Sequence, residues 1–233
     1  MKFIGLDAGS VSVKLFVLDE QGNRLYGHYE RHKGHPLSVA CSLLRKIVAG
    51  GEPSLLKSAW RKSPEADNWS LSVTGSAGRL IASVLEIKPV NEIVAQAYAT
   101  QMLSPHVKTI IEMGGEDSKL ILLSEDGRSI QDFSMNSVCA AGTGSFLDQQ
   151  AERLRLSIEE FSELALRSEK PPRIAGRCSV FAKSDMIHLQ QIATPPEDIV
   201  AGLCFAVARN FKGCISRGRH LIPPVTFQGG VAA

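Results

Sequence analysis

The sequence predicts an α/β protein built on a duplicated β-unit, with mixed sheets flanked by helices. Two observations carry that expectation. The order strand, glycine-bearing turn, strand, acidic turn, strand occurs twice, the copies starting about a hundred residues apart. Helical spacing then dominates from Thr143 almost to the end, where a last apolar strand runs into Gly229-Gly230.

The first copy opens with an apolar run over 3–6, a second over 11–18 and a third over 24–29. Asp19-Glu20-Gln21-Gly22-Asn23 joins the last two, and its Gly and Asn tolerate positive φ. Apolar residues over 37–48 recur at helical spacing and stop before Gly50-Gly51. The polar stretch 60–68 reads as a loop. A short strand over 70–73 leads through Thr74-Gly75-Ser76-Ala77-Gly78 into a helix ending near Leu85. The second copy places strands over 108–112, 119–123 and 129–133, with Ser124-Glu125-Asp126-Gly127 as its acidic turn. Helices follow over 143–154, 157–166, 180–192 and 197–217, and Pro223-Pro224 precedes the strand over 225–228. This organisation predicts an N-terminal lobe over 1–104 and a C-terminal lobe over 105–233.

Composition narrows the function classes. In 233 residues, 44% are hydrophobic and 21% charged, ordinary values for a globular protein with a substantial core. A net charge of +2 lacks the concentrated basic excess of nucleic-acid domains, so no nucleic-acid partner is expected. No apolar run approaches the roughly 20 residues that span a bilayer. Asp7 interrupts the first apolar segment where a signal peptide would still be hydrophobic, so a cytoplasmic protein away from membranes is expected. Its five cysteines are then reduced thiols, free to be core residues, nucleophiles or metal ligands.

Two loops carry phosphate-binding chemistry. In Asp7-Ala8-Gly9-Ser10-Val11-Ser12-Val13-Lys14, Gly9 admits a close phosphate, Ser10 and Ser12 add hydroxyl donors, and Lys14 adds a point charge. Asp7, at a strand end, is placed to hold a hydrated magnesium ion. The second copy is Glu112-Met113-Gly114-Gly115-Glu116-Asp117-Ser118-Lys119, where two glycines let amide N–H groups face an anion. Either loop alone is also what a plain tight hairpin shows. Their equivalent places in a duplicated unit, with Gly229-Gly230 as a third glycine turn for base and ribose, make a nucleotide clamp the sharper expectation. No Walker pattern is present.

Two cysteines stand at expected helix starts. Cys139 precedes Ala140-Ala141-Gly142-Thr143-Gly144, and Cys178 precedes Ser179-Val180-Phe181-Ala182. A helix N-terminus offers unpaired N–H groups and partial positive charge, which favour a thiolate or an anionic cluster. A [4Fe–4S] cluster needs four thiolates, so two per chain imply one cluster shared across a two-fold axis. A small core cysteine is the plainer reading, and it is the one adopted for Cys41, Cys204 and Cys214. Cys139 as a nucleophile, with His188 as its base, is a second alternative.

These segments resemble the activator ATPases of 2-hydroxyacyl-CoA dehydratases, grouped with the ATPase subunits of benzoyl-CoA reductase. That family lies within the actin/hexokinase/heat-shock-70-like superfamily. The resemblance runs from Gly5 to Gly230 and is most specific over 114–119, 135–144 and 178–184. Tyr29-Glu30-Arg31-His32 and Thr74-Gly75-Ser76-Ala77-Gly78 look most like long members known only as CoA-substrate enzyme activases.

The resemblance implies a duplicated actin-like, ribonuclease H-like fold binding ATP or ADP with Mg2+. It implies a [4Fe–4S] cluster held by Cys139 and Cys178 in a homodimer, in an anaerobic setting. An electron would pass from ferredoxin or flavodoxin, through that cluster, to an acyl-CoA dehydratase or reductase component. Asp7, Glu112 and Glu116 become the candidate catalytic acids. Gly9, Ser10, Ser12, Lys14, Gly114, Gly115, Asp117, Ser118, Lys119, Gly142, Thr143, Gly144, Gly229 and Gly230 become the candidate nucleotide contacts. Glu112 stands where many superfamily members have Asp. The chain ends at Ala233 where relatives continue into a helix over the nucleotide, so the C-terminal lobe is expected to be truncated. A small-molecule kinase on the same fold, which needs no paired cysteines, and a non-catalytic nucleotide sensor are the competing functions.

Overall fold

Alternating burial begins at the first strand, β1 (Lys2–Ala8), where Ile4, Leu6 and Ala8 point into a core and Phe3 and Gly5 do not. That two-residue period is what a half-buried strand requires. The computed structural model describes residues 1–48, 69–127, 129–136, 140–176 and 178–232. Cys139, the glycine pair at 50–51 and the expected loop over 60–68 lie outside the described residues.

The described chain forms two compact units, Met1–Tyr98 and Ala99–Ala233. In the first, β1 pairs antiparallel with β2 (Ser12–Leu18), and β2 antiparallel with β3 (Arg24–Arg31). Strand β4 (Trp69–Thr74) lies parallel to β1, so the sheet order is β3-β2-β1-β4. The β2–β3 turn is held by Asp19, whose carboxylate accepts the N–H groups of Gln21 and Asn23, while Gly22 takes φ 83°. Helices α1 (Pro36–Val48) and α2 (Gly78–Leu85) cover one sheet face. Ala40, Leu43, Leu44, Ile81 and Ala82 close there on Ile4, Leu6, Val13, Leu15 and Val73.

The second unit repeats the topology. Strands β5 (Thr109–Met113), β6 (Ser118–Leu123) and β7 (Ile130–Asn136) form the meander, and β8 (Val225–Gln228) lies parallel to β5. The order is β7-β6-β5-β8. All six residues of β6 are buried, whereas β2 exposes Phe16 and Leu18. Helices α4 (Gly144–Leu154), α5 (Ile158–Ala165), α6 (Ser179–Gln191) and α7 (Pro196–Asn210) supply the second core around Phe146, Phe161, Leu203 and Ile215. Sequence chemistry explains their starts. Ser157 and Glu160 form a reciprocal capping box on α5, and α7 opens with proline followed by Glu197 and Asp198.

Two elements differ from the sequence expectation. Helix α3 (Glu92–Leu103) has no counterpart in it, because its apolar residues are spread around the axis and Val94, Tyr98, Met102 and Leu103 are exposed. Without an apolar stripe, periodicity has nothing to detect. The long helix expected over 197–217 changes to π-helical winding over Phe211–Ser216. The combined Pro196–Ser216 helix is long and apolar enough to cross a bilayer, but Val200, Leu203 and Ile215 lie fully inside the second core.

Candidate functional site

In the first unit the reversal between β1 and β2 closes when the Gly9 N–H donates to the Ser12 carbonyl at 2.9 Å. Strand register places Asp7 opposite Lys14, and Lys14 Nζ reaches Asp7 Oδ2 at 2.9 Å. The other carboxylate oxygen, Asp7 Oδ1, is buried and accepts no hydrogen bond. A buried carboxylate oxygen without a donor is costly, so this atom is chemically ready for a cation or its water. Gly75, at the end of β4, crowds the same place. A Cβ there would stand 2.5 Å from Asp7 Oδ1 and 2.3 Å from the Ala8 carbonyl oxygen, at φ 95°. The Ala77 N–H then donates to the Ala8 carbonyl at 2.8 Å, tying the β4 turn to the end of β1. A cavity of about 460 Å³ is lined by Asp7, Lys14, Thr74, Val94 and Tyr98.

The second unit repeats this arrangement at its hairpin, with Glu112 in the place of Asp7. Gly114 N–H donates to the Asp117 carbonyl at 2.9 Å, and Lys119 Nζ reaches Glu112 Oε2 at 2.9 Å. Lys119 also lies 3.0 Å from Asp117 Oδ2. Gly229 plays the part of Gly75: its φ is 95°, and a Cβ would meet the Met113 carbonyl oxygen at 2.3 Å. The Val231 N–H donates to that carbonyl at 3.2 Å.

What the second loop has in addition is the start of α4. Gly144 and Ser145 donate their N–H groups to the carbonyls of Gly114 (2.9 Å) and Gly115 (2.8 Å). Ser118 Oγ donates to the Gly142 carbonyl at 2.6 Å. Because peptide groups are planar and trans, a carbonyl pulled one way aims the following N–H the other way. Anchoring Gly114 and Gly115 thus directs the N–H groups of Gly115 and Glu116 away from α4, which is how such a loop presents donors to an anion. Thr143 is the N-cap residue of α4 and is fully buried.

Hydrogen bonds therefore join Gly114, Gly115, Asp117, Ser118, Gly142 and Gly144, with Thr143 as the helix cap and Gly229 packed against Met113 beside them. In the first loop Gly9 bonds Ser12 and Lys14 bonds Asp7, and Ser10 lies in the turn between. Glu112 and Lys119 are buried against each other, whereas Glu116 is exposed on the loop. Gly230 meets nothing within 4 Å of its would-be Cβ.

Cys178 is half-buried and occupies the N-cap position of α6, where no side chain caps the first N–H groups. Val180 and Phe181, immediately after it, are exposed. Cys204 and Cys214 pack against the second core, and burial pushes the Cys204 thiol up from its ordinary value. Among the described residues no three His, Cys, Asp or Glu side chains converge on one point. Cys178 stands at a helix N-terminus, whereas Cys41 and Cys204 lie within helices.

Three positioning residues escape a reading of the sequence. Gly75 does so although Thr74-Gly75-Ser76 occupies the place in the first unit that Gln228-Gly229-Gly230 occupies in the second, a parallel visible once β4 is paired with β1. Asn210, buried at the end of α7, donates from Nδ2 to the Gly176 carbonyl at 2.5 Å. Its Oδ1 has no partner and lies 2.5 Å from where a Gly142 Cβ would stand, so one amide spans the segments that lead from Cys139 and to Cys178. His32 is the third: its segment Tyr29-Glu30-Arg31-His32 carries the resemblance without giving the ring a role, and no sequence signal marks Asn210.

The sequence profile of the BadF/BadG/BcrA/BcrD ATPase family matches residues 4–233. The chain belongs to this family. Among relatives of this family ATPase, the (R)-2-hydroxyglutaryl-CoA dehydratase activating ATPase of Acidaminococcus fermentans is 30% identical over 98% of the chain and 82% of its own length. An uncharacterized Escherichia coli protein, YjiL, is 37% identical over 70% of the chain, a match spanning only 62% of YjiL. In three dimensions the activator of the 2-hydroxyisocaproyl-CoA dehydratase from Clostridium difficile, solved with bound ADPNP, superposes with a TM-score of 0.81 at 28% identity. That superposition covers all of this chain and 81% of the activator. The fold is thus the actin-like fold of the activator ATPases.

Proposed function

We propose that this family ATPase is an ATP-dependent activator that delivers a low-potential electron to a 2-hydroxyacyl-CoA dehydratase or a related CoA-ester reductase. ATP and ADP are the nucleotides of the reading, with Mg2+ held through Asp7. A [4Fe–4S] cluster is held by Cys139 and Cys178 from each of two copies, and ferredoxin or flavodoxin is the donor, in the cytoplasm of an anaerobic cell. Support comes from the relatives, whose names describe dehydratase activators and an activating ATPase.

One observation carries the proposal. The second phosphate loop and the segment leading away from Cys139 are a single hydrogen-bonded piece, through Gly144 to Gly114, Ser145 to Gly115 and Ser118 to Gly142. A ligand that pulls on the amides of this loop also pulls on the start of α4. Driving a change that way requires the triphosphate and diphosphate states to bind two conformers with different affinity.

Residues present fit the groups required. Asp7 Oδ1 is a buried oxygen awaiting a cation, and Cys178 stands uncommitted at a helix N-terminus. When bound, the cluster supplies a one-electron carrier. The protein's own contribution is the loop that holds phosphate, the acid that holds hydrated metal and the helix dipole that favours thiolate. Glu112, charge-balanced by Lys119, keeps the second hairpin in shape, and exposed Glu116 remains the acid able to orient water.

Anaerobic purification followed by iron and acid-labile sulfide counts tests the reading. One [4Fe–4S] centre per two chains, with an EPR signal on reduction, is expected, and Cys178→Ala should lose iron while retaining ATP binding. A colourless, iron-free protein would overturn it. Retention of a phosphotransfer activity by a double Cys139→Ala, Cys178→Ala variant would instead favour a kinase.

A further inference from the structure

We infer that His32 is the positioning residue of the first phosphate loop, and that it acts as a neutral imidazole carrying its proton on Nε2. The inference rests on the ATP-binding reading above and adds to it the residue that shapes the loop.

His32 follows β3 and is buried. Its Nε2 lies 3.2 Å from the Gly9 carbonyl oxygen, and the Gly34 N–H donates to its Nδ1 at 3.1 Å. A carbonyl can only accept and an N–H can only donate, so Nε2 carries the proton and Nδ1 carries the lone pair. The surrounding turn is shaped to deliver this. Lys33 and Gly34 both take positive φ, at 47° and 86°, and the His35 N–H closes the turn on the His32 carbonyl at 2.8 Å. The His32 N–H in turn donates to the Val11 carbonyl at 3.0 Å, so the residue is fastened to the loop through main chain and side chain alike.

The two units show why the bond matters. In the second, the Gly114 carbonyl is anchored by the Gly144 N–H at the start of α4. In the first, the equivalent Gly9 carbonyl is anchored by the His32 ring. Holding Gly9 C=O toward His32 aims the Ser10 N–H the opposite way, as a planar trans peptide requires. One imidazole thus does in the first unit what a helix start does in the second.

The test compares ATP–Mg2+ affinity by calorimetry for the full chain and three variants, with thermal midpoints recorded alongside. His32→Leu loses both ring bonds. His32→Gln keeps a donor at the Nε2 place, and His32→Asn keeps an acceptor at the Nδ1 place without reaching Gly9. Loss of the bond to Gly9 is expected to weaken binding roughly tenfold in His32→Leu and His32→Asn, with His32→Gln within about twofold of the parent. Asn binding as tightly as the parent, or Gln as weakly as Leu, would overturn the inference while leaving ATP binding intact. A parent chain that is folded but binds no ATP would remove the nucleotide reading and the inference with it. Independently of affinity, ring ¹⁵N spectra of the histidine-labelled parent should contain a neutral imidazole protonated on Nε2, assigned to His32 by its absence from His32→Gln. A protonated ring or an Nδ1–H tautomer at this residue overturns the assignment.

Discussion

The two hairpins share a register, a loop-closing bond and an acid–lysine pair seven residues apart, yet they handle charge in opposite ways. Lys14 and Asp7 remain about a third exposed, at 35% and 37%, while Lys119 and Glu112 are 1% and 8% exposed. Lys119 has a second carboxylate, Asp117, at 3.0 Å, and every residue of β6 around it is buried. In the first hairpin one carboxylate oxygen is left without a partner, and in the second the charges are used up on one another. One sequence device, repeated, has left a buried carboxylate oxygen without a hydrogen bond in one unit and become a buried structural pair in the other. The anchor of the loop carbonyl differs as well: the start of α4 holds Gly114, and the His32 ring holds Gly9.

The largest effect is expected from removing the buried lysine. Lys119→Met leaves Glu112 and Asp117 with an unbalanced buried charge and should lower unfolding free energy by about 3–5 kcal/mol, read from urea denaturation. Lys14→Met should cost under about 1 kcal/mol and show itself in ATP affinity instead. Equal destabilisation by the two variants would break the comparison.

Next come Gly75→Ala and Gly229→Ala. Both glycines sit at φ 95° with a backbone carbonyl oxygen 2.3 Å from any added Cβ, so each should cost about 1–3 kcal/mol or more. Similar losses would sharpen the equivalence of the two strand ends, and a harmless substitution at either would undo it. Asn210→Leu leaves the Gly176 carbonyl without its donor, and a loss of about 1–3 kcal/mol is expected in the same measurement.

The smallest effect is on acid stability. The Ser168 hydroxyl, then the Lys170 N–H, holds the Asp198 carboxyl below its ordinary value, as the Asn23 side chain does for Asp19 in the first unit. A carboxyl depressed in the folded state contributes stability above its ordinary titration range, and that contribution is lost as the pH falls through the folded value. Thermal midpoints should therefore drop on acidification below about pH 4, and drop less steeply in Ser168→Ala. An unchanged slope would show that Asp198 is not among the groups responsible.

Much of the fold is legible because it obeys short-range rules. Alternation in β1 and β2, the Asp19–Asn23 turn and the Ser157–Glu160 capping box are each contained within a few residues. Helix α3 escapes because its apolar side chains have no common face, although Asn91 caps it by accepting the N–H of Ile93 through its side chain. The candidate site is legible in part for the same reason. Gly9, Gly114 and Gly229 stand at strand ends that the duplication marks. His32, Gly75 and Asn210 act across 23 to 68 residues of sequence, on Gly9, Asp7 and Gly142 respectively, and nothing in the local sequence announces those partners.

The order of apolar and polar residues was enough to determine the duplicated β-units, the helices that follow and the two loops, because periodicity and turn chemistry are properties of neighbours in the chain. Tertiary structure alone decided which carboxylate oxygen is buried without a hydrogen bond, which lysine is buried and what anchors each loop carbonyl. Those outcomes depend on which distant group arrives to desolvate a charge or accept a hydrogen bond, and two stretches of the same pattern met different groups.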